Sequence, residues 1–133
     1  MANAVYNKAR QAYLAGDLDW DADNIKVVLV TSGYTFSQAH EYLSSIAAGY
    51  RVATSGNLAN KSVVDGVADA DDLVFSSVSG SQIAAIVIYQ DTGSEATSRL
   101  IVYIDDATGL PCTPNGSDIT IVWPSDATKI FKL

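Results

Sequence analysis

Residues 83–123 hold three short apolar runs in succession, and these runs constrain the fold more than any other feature of the chain. They read IAAIVIYQD, RLIVYIDD and DITIVW, and each is bounded by Gly, Asp, Ser, Thr or Pro. Runs rich in β-branched and aromatic residues, with no helix-period segment between them, are typical of consecutive strands. We therefore interpret this stretch as a β-meander, a scaffold that no catalytic motif interrupts.

Composition restricts the chain to one folded domain. With 133 residues, 48% of them hydrophobic, it can bury a core without metal or disulfide staples and is too apolar for a disordered protein. No run approaches the roughly 18 apolar residues of a membrane span, and the first residues lack the apolar core of a signal peptide. We predict a single soluble β-rich domain over residues 1–133, made in a cytoplasm and without a membrane partner.

The charge of the chain argues against a nucleic-acid partner. The net charge is −7 and the pI is about 4.3, and the eight Lys and Arg residues are scattered. No basic stripe is therefore available for a phosphate backbone. Of the 15 acidic residues 13 are Asp, a residue that favours turns over helix interiors, so the choice of acid also supports a loop-rich β protein.

The other elements follow from local patterns. Residues 3–14 have a helical apolar face, with Asn3 as the expected N-cap and Gly16 as the expected end. About nine strands without a βαβ rhythm predict a mainly β fold, an antiparallel β-sandwich or jelly-roll-like domain with one or two short helices near the N-terminus. The remaining predicted elements are a helix at residues 37–47 and strands at residues 25–31, 50–66 (two strands around a polar turn), 72–78 and 129–133.

The first predicted helix is short and Ala-rich, and such a helix is marginal when isolated. It must therefore dock, either on its own sheet or on a neighbouring subunit. Residues 1–16 are accordingly a candidate helical docking arm, and we expect a chain that lacks residues 1–14 to keep a folded β core.

The first acidic cluster has the alternating spacing with which a calcium loop begins. An EF-hand requires Gly at the sixth position and Glu at the twelfth, and those positions hold Ala22 and Val28. The EF-hand interpretation fails, which leaves weak calcium binding and a solvated acidic turn as alternatives. The cluster consists of Asp17, Asp19, Asp21 and Asp23.

A second acidic cluster, formed by Asp69, Asp71 and Asp72, stands ahead of a predicted strand. Paired carboxylates can act as general acid and base, but side chains bonded to backbone amides in a turn are the simpler interpretation. We expect Trp20 and Trp123 to be core or sheet-edge aromatics rather than ligand platforms.

The chain offers few groups for nucleophilic catalysis. Cys112 is the single cysteine, which excludes an internal disulfide and a cysteine-based zinc site. Its one potential base would be His40, and no local pattern brings the two together. Nucleophile-elbow, P-loop and dinucleotide motifs do not occur, so we predict no enzyme, and no catalytic, cofactor-binding or metal residue.

The segment GLPCTPNGSD predicts a rigid turn. Pro111 and Pro114 fix φ and remove two donors, and Gly116 after Asn115 supplies the positive φ of a tight turn. Such a turn is a candidate contact surface and equally a plain connector.

Several segments spread along the chain resemble small phage and prophage virion proteins of the capsid decoration, or cement, type. Their specificity lies in their spread rather than in any one motif. They are VYNKA at residues 5–9, VATSG at residues 52–56, DADD at residues 69–72, SRLIVYID at residues 98–105, GLPCTPNGSDITIVW at residues 109–123 and the terminal KIFKL.

The resemblance implies a homo-oligomeric protein on the outer surface of a phage head, where it would bind the major capsid protein and stabilise contacts between capsid subunits. The first helix and the Pro-Asn-Gly turn would be its docking elements. The alternatives are a tail or neck component and, from another class, a carbohydrate-binding or calcium-dependent adhesion module.

Overall fold

The computed structural model describes residues 3–107, 109–125 and 129–132. These residues form a mainly β fold with antiparallel pairing between neighbouring strands and one α-helix near the N-terminus. The strands are β1 (Ala4–Val5), β2 (Ile25–Val30), β3 (Arg51–Thr54), β4 (Ser62–Val64), β5 (Val67–Asp69), β6 (Leu73–Phe75), β7 (Ala85–Gln90), β8 (Leu100–Ile104), β9 (Ile119–Ile121) and β10 (Phe131–Lys132); the helix is α1 (Asn7–Ala15), and two 3-10 turns span Leu43–Ser45 and Ala48–Tyr50.

A five-stranded sheet with the order β1-β8-β7-β2-β3 forms the centre of the molecule. All five residues of β8 are buried, as are all but the last residue of β7 and all but the second of β2. A strand that is apolar at every position, rather than at every second one, requires cover on both faces of its sheet. The continuous runs IVIY and LIVYI therefore imply two covering layers.

Aromatic side chains cover one face of this sheet. Val87 pairs with Tyr103, so both side chains lie on this face. The ring of Phe36 stacks on Tyr103 with the centroids 4.5 Å apart, Tyr34 approaches Tyr103 at 6.1 Å, and Tyr6 meets Phe36 edge-on at 5.3 Å.

The C-terminal strands lie over the opposite face, which carries Val5 and Val102 as a pair. Ile121 of β9 and Phe131 of β10 border the same cleft as Val102. The Phe131 ring also meets Trp20 edge-on at 5.3 Å and Tyr13 at 6.2 Å. Phe131 thereby joins the helix, the first acidic turn and the C-terminal strand in one core.

Two smaller antiparallel sheets complete the fold, one of order β10-β5-β4 and one pairing β6 with β9. A two-residue loop with φ of 52° at Asp65 and 80° at Gly66 connects β4 to β5. Positive φ at both central residues is the signature of a type I′ hairpin turn, for which Asp-Gly is a preferred sequence. Val63 pairs with Ala68 and Val64 with Val67 in this hairpin.

The predicted fold class is confirmed: the protein is mainly β and antiparallel, with its helix near the N-terminus. The closer comparison with a jelly roll remains a prediction. The meander was wrong in its third strand, because β9 leaves β8 and pairs with β6, with Thr120 opposite Val74. The segment between β8 and β9 is long enough to cross to the other layer. Two strands that follow one another in the sequence therefore need not be neighbours in a sheet.

The predicted helix at residues 37–47 was also wrong. The Leu43 amide donates to Ser98 O, and Tyr42 forms an isolated bridge with Arg99. This backbone therefore runs in extended form along the edge of β8, next to the part that pairs with β1. Within it only the 3-10 turn Leu43–Ser45 is helical.

The first helix begins later than predicted and ends as predicted. Pairing of Ala4–Val5 with β8 delays its start to Asn7. The Asn3 side chain is no cap, since its Oδ1 accepts the amides of Asp105 and Asp106 at 3.0 Å. Gly16 closes the helix with φ of 82°. The predicted strands at residues 25–31 and 129–133 occur in shorter form, and Met1, Ala2 and Leu133 lie outside the described residues.

The helix docks on its own sheet. Tyr6 and Ala9 are 0% exposed and Ala12 is 3% exposed. The Tyr6 amide donates to Ile101 O and so continues the pairing of β1 with β8. That residues 1–16 dock on another subunit stays a prediction. Because the inner face of the helix is buried, only its outward face is available for such a contact.

We expect deletion of residues 1–14 to unfold the domain rather than leave a β core. The deletion removes the buried Tyr6, Ala9 and Ala12, and losing one buried aromatic side chain already costs about 3–5 kcal/mol of a total stability of about 5–15 kcal/mol. Circular dichroism melting measures this. Leu14→Ser is the control, because Leu14 is 91% exposed; a cooperative transition in the truncated chain would contradict the expectation.

An ion pair at the end of the β2–β7 ladder gives a pH-dependent contribution to stability. Lys26 Nζ lies 2.8 Å from Asp91 Oδ2. The hydrogen bond from Lys26, with a second from the Gly93 amide, holds the pKa of Asp91 below its ordinary value, and the bond to Asp91 raises the pKa of Lys26. A carboxylate with a lowered folded-state pKa stabilises the protein above its unfolded pKa of about 4 and loses this contribution as the pH falls through the folded value.

We expect Asp91→Asn to lower the free energy of unfolding by about 0.5–1 kcal/mol at neutral pH, with the difference from the wild type vanishing toward about pH 2. Urea denaturation across this pH range measures the effect. Asp106→Asn, at an exposed aspartate for which no side-chain bond is seen among the described residues, is the matched control. A difference that persists at low pH would assign the effect to something other than the ion pair.

Candidate functional site

The first acidic cluster is a closed turn. The Asp23 amide donates to Asp19 O at 2.8 Å, and the Asp19 amide donates to Asp23 Oδ2 at 2.9 Å. The same carboxylate oxygen accepts Gln90 Nε2 at 2.8 Å, and Lys61 Nζ donates to Asp23 O. Asp23 thus ties the turn to β7 and to the start of β4.

Asp17 and Asp21, which belong to the same cluster, make different contacts. Asp17 lies 3.8 Å from Arg99. Asp21 shares a hydrogen bond with Asp19, and this bond and the negative charge of Asp19 raise the pKa of Asp21. Among the described residues no group of three or more His, Cys, Asp or Glu side chains is placed to hold a metal ion. The described acidic side chains therefore give the calcium hypothesis no support.

The second acidic cluster anchors both tryptophans. Trp20 Nε1 donates to Asp69 O and Trp123 Nε1 donates to Asp71 O, each at 3.0 Å. The Trp123 amide donates to Asp72 Oδ1, also at 3.0 Å. We call these three hydrogen bonds the tryptophan clamp. The prediction of side chains bonded to backbone amides holds for Asp72 alone, whose carboxylate accepts the Trp123 amide; Asp69 ends β5 and is not part of a turn.

Burial excludes the tryptophans as ligand platforms. Trp20 is 3% exposed and Trp123 is 7% exposed, so neither ring offers a face to a sugar. The prediction that both are core aromatics is confirmed. Each indole N–H finds a carbonyl, as a buried tryptophan requires.

We expect Asp72→Ala to lower the free energy of unfolding by about 1–2 kcal/mol, because it leaves the half-buried Trp123 amide without its acceptor. Asp106→Ala removes an equal charge from an exposed site and is the control. Thermal melting measures the loss of stability, and melting with and without about 1 mM calcium measures calcium binding. No calcium-dependent shift is expected in any of the three proteins, and a shift of several degrees in the wild type would restore the calcium hypothesis.

His40 and Cys112 take part in separate contacts. The Tyr6 hydroxyl lies 2.9 Å from the Tyr34 hydroxyl, which lies 2.8 Å from His40 Nδ1. Burial, then the bond to Tyr34, raises the pKa of Tyr6 far above its ordinary value, so this phenol stays neutral. Cys112 pairs through its backbone with Ile83, at 2.7 and 2.9 Å. The histidine is thus engaged by a tyrosine chain, not by the thiol.

The proline-rich turn is tied to the loop after β6. Asn115 Oδ1 accepts the Ser117 amide at 3.0 Å, and Gly116 has φ of 87°. This confirms the predicted positive φ. The Gly116 amide donates to Val78 O and the Val78 amide donates to Ser117 O. The turn is therefore exposed but fixed in place, with a cis bond between Leu110 and Pro111.

A cleft separates two layers of the fold. It has a volume of about 1080 Å³ and runs between β8 and the C-terminal strands. Its apolar walls include Val102, Ile104, Trp123 and Phe131, and each of these is less than 9% exposed. The cleft is also bordered by the exposed charged residues Arg10, Asp106 and Lys132.

Exposed apolar side chains mark the contact surfaces that remain. Val63 and Val64 on β4 are 52% and 64% exposed, and Leu14 on the helix is nearly fully exposed. Val74 on β6 is 54% exposed, and Val122, the residue that follows β9, is 69% exposed. No sequence pattern distinguished these valines from core residues.

A scan against protein-family models and a search of curated proteins both gave no match for this chain. In the described residues no helix has the length and apolar character that a membrane crossing needs. The chemistry of this protein must therefore be argued from its own surfaces.

Proposed function

We propose that this protein is a virion structural protein that decorates the outside of a phage head and stabilises contacts between major capsid subunits. The observation that carries the proposal is the resemblance of segments spread along the whole chain to cement proteins. The structure adds the places that these segments occupy.

The resembling segments supply the joints of the fold. SRLIVYID contains β8, the strand on which β1, the helix and the first covering layer assemble. DADD supplies the tryptophan clamp, and GLPCTPNGSDITIVW contains both β9 and Trp123. A likeness concentrated in such joints supports a shared scaffold, and a shared scaffold is what a structural virion protein needs.

Charge and rigidity suit a position outside the shell. Because its net charge is −7, the protein does not attract the negatively charged genome, which the interior of the shell must hold. The double cover of the central sheet and the clamp between loops make a rigid body. Such a body can transmit load between two capsid subunits without rearranging.

The docking elements of this proposal are the outward face of α1 and the turn at residues 113–118. Lys8, Arg10 and Leu14 lie exposed on the helix, and Asn115 and Gly116 are exposed in the turn. Repeated contacts of this kind on a symmetric shell favour a homo-oligomer.

Copy number in purified particles, followed by cryo-electron microscopy, tests the proposal. We expect on the order of hundreds of copies per particle, distributed over the head with the lattice symmetry of the shell. Quantitative mass spectrometry against the major capsid protein gives the ratio, and a density map gives the position.

The two measurements separate the alternatives. A few to a few dozen copies confined to the tail or neck would replace the capsid assignment with the tail or neck component. Absence of the protein from washed particles would overturn both assignments.

A further inference from the structure

A groove of about 330 Å³ runs between the outer edges of two strands. Residues 52–56, from β3 and the loop after it, form one wall, and residues 74–79, from β6 and the loop after it, form the other. β3 is the last strand of the five-stranded sheet, and β6 pairs with β9 alone. The groove therefore lies between two strand edges that have no further partner among the described residues.

The register of β3 turns backbone groups toward this groove. The Ser55 amide donates to Val27 O, while Val28 is opposite Thr54. In an antiparallel ladder this makes Val28 and Thr54 a non-hydrogen-bonded pair, so the N–H and C=O of Thr54 point away from β2. Thr54 is also exposed. Within the described residues its N–H and C=O have no hydrogen-bond partner, so they form a donor and an acceptor at the edge.

This edge lacks the usual protection against strand pairing. Exposed edges commonly carry charged side chains, proline or a covering loop, yet no described residue that lines the groove is charged or proline. Arg51, at the start of β3, is turned inward, because its guanidinium donates to Ile46 O and Leu43 O and pairs with Glu95 at 2.8 Å.

We propose that this groove binds an extended segment of a partner protein by strand addition to β3. Main-chain hydrogen bonds to Thr54 would supply the affinity, as in other cases of β-augmentation. The lining of Ser55, Ser76, Ser79 and Val74 selects small hydroxyl or apolar side chains. The inference does not depend on the proposed function, since it concerns the backbone edge and not the location of the protein.

The geometry favours a lone segment over a second copy of this chain. A groove with strand edges on both sides accepts a strand whose own two edges are both unpaired. A strand inside the sheet of a second copy has both edges already paired. The net charge of −7 further restricts the segment, because it disfavours an acidic one and favours a neutral or basic one.

A defined peptide tests the proposal on the full-length protein. The probe is a fluorescein-labelled, end-capped peptide of about seven residues that alternates threonine and valine between two lysines. We expect saturable binding by fluorescence anisotropy, lost when the peptide backbone is N-methylated. Thr54→Pro should weaken binding at least about tenfold, because it removes the outward N–H that the fold does not use, and Thr54→Ala should stay within about twofold.

Val74→Lys on the opposite wall is a second variant, at an exposed site that tolerates substitution, and it should also weaken the basic peptide at least about tenfold. No saturable binding, equal binding of the N-methylated peptide, or unchanged binding in either Thr54→Pro or Val74→Lys would overturn the proposal. So would a dimer in analytical ultracentrifugation that Thr54→Pro abolishes, because the occupant would then be a second copy.

Discussion

Burial of the central ladder on both faces is the constraint from which the rest of this structure follows. β2, β7 and β8 have apolar side chains toward both sides, so neither side of the sheet can face water. One side is closed by the aromatic set around Tyr103, and the other by strands that come from the far end of the chain. The helix, the acidic turn and the C-terminal strand meet at Phe131 because that second face needs cover.

The acidic residues that might suggest chemistry serve this assembly. Asp23 closes its own turn and receives Gln90, and the segment from Asp69 to Asp72 holds both indole N–H groups. Each of these bonds satisfies a donor that would otherwise lose its partner on leaving water. The conspicuous acidic motifs of the sequence are thus joints between layers, which is compatible with a protein whose task is mechanical.

The contacts that we propose lie on surfaces that the core leaves open. The outward face of the helix and the proline-rich turn are exposed but held by bonds to the body, so they can contact a partner without an ordering cost in the backbone. The β3 edge differs in kind, because it offers unpaired main-chain groups instead of side chains. Side-chain surfaces suit a broad contact between folded proteins, whereas an open edge suits a flexible segment.

Local sequence determined which segments become strands and little about how they associate. Some features were predictable because each depends on residues that are close together in the sequence. These are the runs at β2, β7 and β8, the end of the helix at Gly16 and the tight turn at Gly116. The Asp65–Gly66 hairpin could have been found from its dipeptide alone.

Tertiary structure decided the remainder. Residues 37–47 have a helical pattern but were drawn out along the edge of β8, and β9 pairs with β6, because long-range burial and hydrogen bonding outweigh local preference. The tryptophan clamp joins residues that are dozens of positions apart in the sequence. The open edge at Thr54 depends on which residues of β3 are hydrogen-bonded to β2. Neither feature can be recognised from a short stretch of sequence. The sequence by itself determined an acidic, antiparallel β scaffold, and only the packing of its layers decided which acids are structural and which strand edge stays open.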